Sequence, residues 1–340
     1  MTGNSNFRHQ NASLLAVTSI DAPVVVTSRE LDERLKPSLQ RLRLPRGLLD
    51  RLAGVSERRW WDASMDFDDA AIEAGAKALA EAGVEPGDVG LLINTSVTRK
   101  HLEPSVAVKI HHGLGLPSSA LNFDVANACL GFVNGMSLAS TMIDAGQIRY
   151  AVVVAGEDAG ETQRATLERL LRPDVTREDF NNEFATLTLG SGAAAAVIGP
   201  SSDHPGAHRI LGGVARAGTE HHDLCVGDIN GMRTDTNGLL EGGLELVLEA
   251  WRDAQGEWDW NGMDRYFMHQ VSNVHLNAIV KALDLDTARV PVTYPTLGNV
   301  GPAALPITLA QSVDTLNPGD RVLCMGVGSG LNTAMTEILW

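Results

Sequence analysis

Cysteine is scarce in this chain: three residues in 340, Cys129, Cys225 and Cys324. An odd number without paired spacing excludes a disulfide-stapled scaffold and a cysteine metal site, and fits reduced thiols. Long apolar runs are missing too. Nothing approaches the roughly 20 residues a membrane helix needs. The opening MTGNSNFRHQ carries no apolar signal core, so no membrane span and a cytoplasmic location are expected. Basic residues are outnumbered, 27 Lys and Arg against 42 Asp and Glu, for a formal charge of −15. Duplex binding relies on cations neutralising phosphates, so nucleic acid is not expected as a partner, although a local basic patch still suits an anionic ligand. Charge of either sign is modest at 20%, whereas 44% of residues are hydrophobic and 34 are glycine. That composition excludes a disordered chain and is ample for a large α/β core.

What is present is alternation. The apolar stretch NASLLAVTSIDAPVVVTS precedes a helix expected around residues 28–42, then GVSERRWW. DFDDAAIEAGAKALAEAG reads as a helix with an acidic first turn, Ile72, Ala76 and Leu79 on one face, and Gly83 as its stop. VGLLINTS reads as a strand, VTRKHLEPS as a loop and AVKIHHGLG as a helix. ALNFDVAN is a strand ending near Cys129, residues 131–145 are a helix, and YAVVVAG is a buried strand. This alternation predicts an α/β fold with a mostly parallel sheet covered by helices.

The second half repeats the order. DRYFMHQVS, a helix through HLNAIVKALDL, RVPVTYPTLGN, a helix through AALPITLAQSVDTL, and RVLCMGVGSG mirror residues 88–158. Cys129 and Asn299 occupy matching places, 20 and 22 positions before Arg149 and Arg321, and His269 ends the strand whose counterpart carries Asn94 and Thr95. Ligand sites in open α/β sheets lie beyond the carboxyl ends of strands, so two facing halves bring Cys129, His269 and Asn299 together. The expected division is residues 1–165 for the N-terminal half with Cys129, 166–200 for a cap-like insertion and return strand, and 201–340 for the C-terminal half with His269 and Asn299.

DVANACLGF, MHQVSNVH and GNVGPAALP resemble the Cys, His and Asn segments of the thiolase superfamily, in the arrangement of β-ketoacyl-carrier-protein synthase III. GVSERRWW, LTLGSGAAAAVIG and GVGSGLN are similar to further family stretches, and the likeness covers nearly the whole chain. Within the superfamily, INTSVTRKHLEPS, DVANACLGFVNGM and RPDVTREDFNNEFATLTLGSGAAA are most similar to the acyl-CoA condensing enzymes of olefin biosynthesis. The resemblance implies the thiolase fold: two pseudo-repeated halves with mostly parallel five-stranded sheets in αβαβα layers. It implies fatty acyl-CoA as partner and no cofactor beyond the coenzyme A thioester substrates. It also implies a homodimer, or a heterodimer with a related chain as in β-lactone lipid pathways, and downstream pathway enzymes.

A thiolate is the reactive form of cysteine, and a helix N-terminus offers unpaired N–H groups and about half a positive charge. Cys129 is therefore placed for activation, with Asn127, Ala128 and Gly131 small enough to admit an acyl thioester. A solitary cysteine at an apolar helix start is more often a packing residue, and it is His269 and Asn299 that turn the reading to nucleophile. The resemblance implies that His269 and Asn299 donate to one thioester oxygen, and that the backbone N–H groups of Cys129 and Ser329 form the other oxyanion hole. Each such donor is typically worth about 3–4 kcal/mol of barrier.

Forming a carbon–carbon bond requires a carbanion. Malonyl substrates generate one by losing carbon dioxide, whereas an unactivated acyl-CoA must yield an α-proton to a base. The resemblance implies Glu103, reaching in from a neighbouring subunit, as that base. Cys324 is its rival, in a stretch similar to the Cys-x-Gly of classical thiolases, although Asn299 stands where those enzymes carry histidine. The expected reaction is a non-decarboxylative head-to-head Claisen condensation of two fatty acyl-CoA molecules through an acyl-Cys129 intermediate. Its product is a 2-alkyl-3-ketoacyl thioester, or the β-keto acid after hydrolysis. The alternatives are a decarboxylating synthase III, an acyltransferase to oxygen or nitrogen, and a subunit that only lends Glu103 to a partner. Thiolate chemistry predicts loss of activity on acidification. HHDLC at 221–225 and DHPGAH at 203–208 lack companion ligands, so no metal site is expected. Trp60, Trp61, Trp258 and Trp260 are assigned to packing, and GLLEGGLELVLEAW either borders an alkyl chain or is a core helix.

Overall fold

The computed structural model describes residues 6–228 and 231–340. Its main sheet runs in the order Arg265–Met268, Arg321–Gly328, Asn332–Leu339, His208–Ala217, Ala12–Asp21, Gly192–Pro200, Tyr150–Glu157, Val89–Asn94, Leu121–Asp124, with Asn6–Arg8 against His208–Ala217. The Val89 strand is parallel to both neighbours and the Arg265 strand to its one; the pairs through the middle are antiparallel. Ala12–Asp21 pairs along its length with Gly192–Pro200 but meets His208–Ala217 only at Ser13↔Arg209 and Leu14↔His208. The path is therefore two sheets joined at a corner. Outward from that corner, the Gly192, Tyr150 and Val89 strands of one sheet match the Asn332, Arg321 and Arg265 strands of the other, which is the repeat read from the sequence.

The repeat breaks at one element. Leu121–Asp124 is a strand, but its counterpart in RVPVTYPTLGN is not. Pro291 has no N–H to give a ladder. The Gln270 side chain instead donates to Pro291 O at 3.3 Å and accepts from Thr293 N at 2.9 Å, holding the segment alongside.

Side-chain alternation on each strand builds the layers. Ala151, Val153, Ala155, Val322 and Cys324 face a central cluster shared with Phe132, Val133 and Met136 of helix Gly131–Asp144 and Leu305, Ile307 and Leu309 of helix Ala304–Ala310. Val152 and Val154 face the other way, onto helix Phe67–Ala82. Leu323 and Met325 do the same toward helices Thr236–Ala254 and Asn273–Ala282. Helix, sheet, helix, sheet, helix is the αβαβα order of the thiolase fold.

Three local expectations need correction. The helix expected at 28–42 is two, Ser28–Arg34 and Lys36–Arg41, with Pro37 opening the second. Helix Phe67–Ala82 does end at Gly83 (φ 63°), but its buried face is Ala70, Ala71, Ala74 and Ala78, with Ala76 exposed. Small residues are needed there because the helix lies close to the sheet: a Cβ on Gly156 would sit 2.1 Å from Phe67 O. The cap segment begins at Gly160, not 166, as helices Gly160–Leu170 and Arg177–Glu183, before the return strand Gly192–Pro200. All four tryptophans are buried as expected, and each indole N–H is bonded, Trp60 to Gln163 and Trp61 to the Glu157 carbonyl.

Candidate active site

Cys129 lies between the strand Leu121–Asp124 and the helix Gly131–Asp144. Ala128 beside it adopts φ 45°, in the left-handed region that costs an L-residue roughly 1–2 kcal/mol. The turn is held down from two sides. Asn127 donates to Asn134 Oδ1 at 2.7 Å and accepts from Asn332 Nδ2 at 3.0 Å. Gly131 is small for packing, not for substrate entry: a Cβ there would lie 3.0 Å from Thr95 O and 3.2 Å from Val125 O.

The end of strand Arg321–Gly328 covers this turn, since a Cβ on Gly328 would lie 2.8 Å from Asn127 O. Ser329 follows directly, beside the cysteine turn. His269 follows the neighbouring strand and donates its backbone N–H to Met325 O at 2.9 Å. Its ring is buried and Nδ1 has no partner among the described residues. Asn299 is fixed by its backbone: its N–H donates to Thr188 O and its carbonyl accepts from Gly190 N, both at 2.9 Å. Its side-chain oxygen takes the Gly301 N–H at 3.0 Å, which leaves the Nδ2 hydrogens to donate elsewhere. Cys129, His269 and Ser329 each lie beyond the carboxyl end of a strand, Leu121–Asp124, Arg265–Met268 and Arg321–Gly328, and Asn299 follows the short helix Tyr294–Leu297.

The electrostatics differ from expectation. Burial pushes the Cys129 thiol up to about 12, and the one favourable influence is its own backbone N–H. Two residues short of the helix, the enclosed sulfur loses more to desolvation than the N-terminus returns. Burial pushes His269 down to about 3, with His275 adding to the effect. Burial thus favours a neutral Cys129 thiol and a neutral His269 imidazole. A thiol that burial keeps protonated has no resting thiolate to lose on acidification, which was the expected source of acid sensitivity.

Glu103 sits on an exposed loop next to Leu102, which is 93% exposed. Cys324 is fully buried in the central cluster, its thiol pushed up to about 12 by burial alone. Sequence reasoning missed Glu157. This buried carboxylate ends strand Tyr150–Glu157, lies near Cys129 and is raised to about 7 by burial. Its only signal was position, at the end of the strand that closes the first half.

Beside His269 an apolar pocket is lined by Leu240, Leu244, Val247, Leu276, Ile279 and Val327. Helix Thr236–Ala254 buries Leu246 and Trp251 in the core while turning Leu240 and Leu244 to the pocket. Asp66, Asp68 and Asp69 lie together, but Lys100 and Lys109 pair with them at 2.5–3.7 Å and supply the charge a metal would. No helix among the described residues is long and apolar enough to cross a membrane.

Comparison with known proteins agrees with this geometry. Residues 123–166 match the 3-oxoacyl-[acyl-carrier-protein] synthase III family, and residues 254–340 match its C-terminal counterpart. The chain is 44% identical to an acyl-CoA:acyl-CoA alkyltransferase of Xanthomonas campestris pv. campestris, over 97% of this chain and 99% of that one. It is 37% identical to one of Shewanella oneidensis, over 94% and 96%. A crystal structure of cerulenin-bound OleA from Xanthomonas campestris superposes with a TM-score of 0.96 at 44% identity, covering 98% of each chain. A Cys-to-Ser variant of that protein, with bound lauric acid and lauroyl-CoA, gives 0.95 at 44% identity over 98% of this chain and all of the other. The chain is thus an acyltransferase of the thiolase superfamily and belongs to its OleA-type, synthase III-like condensing enzymes.

Proposed function

We propose that this chain condenses two fatty acyl-CoA molecules head to head without decarboxylation. The observation that carries the reading is a neutral His269 on the wall of an apolar pocket, alongside a cysteine turn packed against the end of the neighbouring strand. Cys129 attacks the first thioester while its proton passes to His269; CoA leaves, and the acyl group remains on sulfur. The N–H groups of Cys129 and Ser329 stabilise that oxyanion. His269 and Asn299 stabilise the enolate of the second acyl-CoA as it attacks the acyl-enzyme. The alkyl chain lies along Leu240 and Leu244.

Glu103 is the α-proton base. Cys324 is the weaker candidate because it is packed at 0% exposure inside the central apolar cluster, whereas Cys129 is partly exposed. Solved OleA structures include Glu, Cys and His variants, and the Glu and Cys substituted there are 26 residues apart, as are Glu103 and Cys129 here. An exposed base must serve a site it can reach, and exposed Leu102 and the half-exposed sheet edge at Leu121 suit a second subunit, identical or related. The test is product mass from one saturated acyl-CoA with no malonyl donor. Wild type and Cys324→Ala are expected to give a product of doubled acyl carbon number, and Glu103→Gln at least about 100-fold less. A Glu103→Gln enzyme that condenses normally without a malonyl donor overturns Glu103 as the base, and a product only when malonyl thioester is added selects the decarboxylating reading. A chain that neither takes acyl groups nor condenses alone, but activates a related chain, selects the subunit reading.

A further inference from the structure

The loop that carries Glu103 is tied to the rest of the site through one residue. Glu157 Oε1 accepts the Val97 N–H at 2.7 Å; Oε2 accepts the Thr98 N–H at 3.1 Å and its hydroxyl at 2.5 Å. The Thr98 hydroxyl in turn accepts the Asp158 N–H at 3.1 Å. On its other side the carboxyl group abuts the turn after Asn299, where a Cβ on Gly301 would lie 3.5 Å from Glu157 Cδ. No Lys or Arg pairs with it among the described residues, and the titratable groups that bear on it are Asp158 and the Cys129 thiol. A carboxylate without a cation, facing three donors of one loop, makes sense as a clamp on that loop.

We propose that Glu157 is a positioning residue that clamps the 97–104 loop, and with it Glu103, for the condensation half of the reaction. This rests on Glu103 as the base. The clamp needs both oxygens as acceptors: an added proton, or the amide of Gln, turns one into a donor facing the Val97 and Thr98 N–H groups. Burial holds Glu157 at about 7, so the clamp loosens as pH falls through neutral.

The test compares wild type, Glu157→Gln and Thr98→Val as full-length protein, by amide hydrogen exchange and by separate assays of CoA release and condensed product. Glu157→Gln is expected to speed exchange across residues 97–104 by about ten-fold or more. Its first-turnover CoA release should stay within about three-fold of wild type while condensed product falls about ten-fold or more in kcat, with little change in KM. Wild-type condensation should weaken as pH drops through about 7, a step absent from the Gln variant. Thr98→Val should show the same pattern more weakly, and decides the matter should the Gln variant not fold. Unchanged exchange in these variants, or equal loss of CoA release and product, overturns the proposal. A wild type that makes no condensed product overturns the functional reading instead, and the exchange result still judges the clamp.

Discussion

At the level of single residues, the account turns on two groups that burial keeps neutral. Burial favours the thiol form of Cys129 and the neutral imidazole of His269, and the proposed mechanism moves a proton from one to the other when substrate arrives. Asn299 completes the set with an amide whose oxygen is already engaged. Asn299→Ala should lower condensation about 100- to 1000-fold while a first burst of CoA release persists, measured by rapid-quench assay. Neutral His269 also carries a stability signature. Its folded value lies below the ordinary 6.5, so its contribution is intact above pH 6.5 and is lost as pH falls from there toward 3. Urea unfolding of wild type should therefore weaken by up to about 1.4 kcal/mol per pH unit more steeply over that window than that of His269→Asn. Cys129, His269 and Asn299 stood out in the sequence because of the repeat, in which Cys129 matches Asn299 and His269 ends a strand whose counterpart carries Asn94 and Thr95. Their protonation was not legible, because sequence spacing suggests a helix dipole but does not reveal enclosure of the sulfur.

Among elements, the critical contacts are backbone against backbone. The return from the cap passes so near the Asn299 turn that a Cβ on Gly190 would lie 1.8 Å from Leu297 O. Gly190→Ala must push the two apart and break the Gly190 N–H to Asn299 O bond. A loss of about 1–3 kcal/mol in urea unfolding is expected, with condensation falling further than stability alone explains. Such contacts were invisible in the stretch LTLGSGAAA, where glycine reads equally as turn or filler. The strands and helices themselves were legible from apolar runs and Gly83-type stops. RVPVTYPTLGN was not, because the Gln270 side chain does from afar what a strand neighbour would have done.

For the molecule as a whole, two repeated halves share one central helical layer and meet at a single corner of the sheet, so the site lies between halves and neither is complete alone. The layering was legible from the duplicated order of elements. The role proposed for the Glu103 loop came only from the family resemblance, since an exposed Glu beside exposed Leu102 shows nothing by itself of what covers it. Co-expressed Cys129→Ala and Glu103→Gln subunits should recover condensation that neither variant has alone, as measured by product formation of the mixed dimer. The most direct measurement is a chase. The protein is acylated with a deuterated acyl-CoA, freed of excess, and given the same acyl-CoA unlabelled. The account predicts a condensed product carrying one deuterated and one ordinary chain. Release of the deuterium as free fatty acid, with only unlabelled product or none, would contradict it.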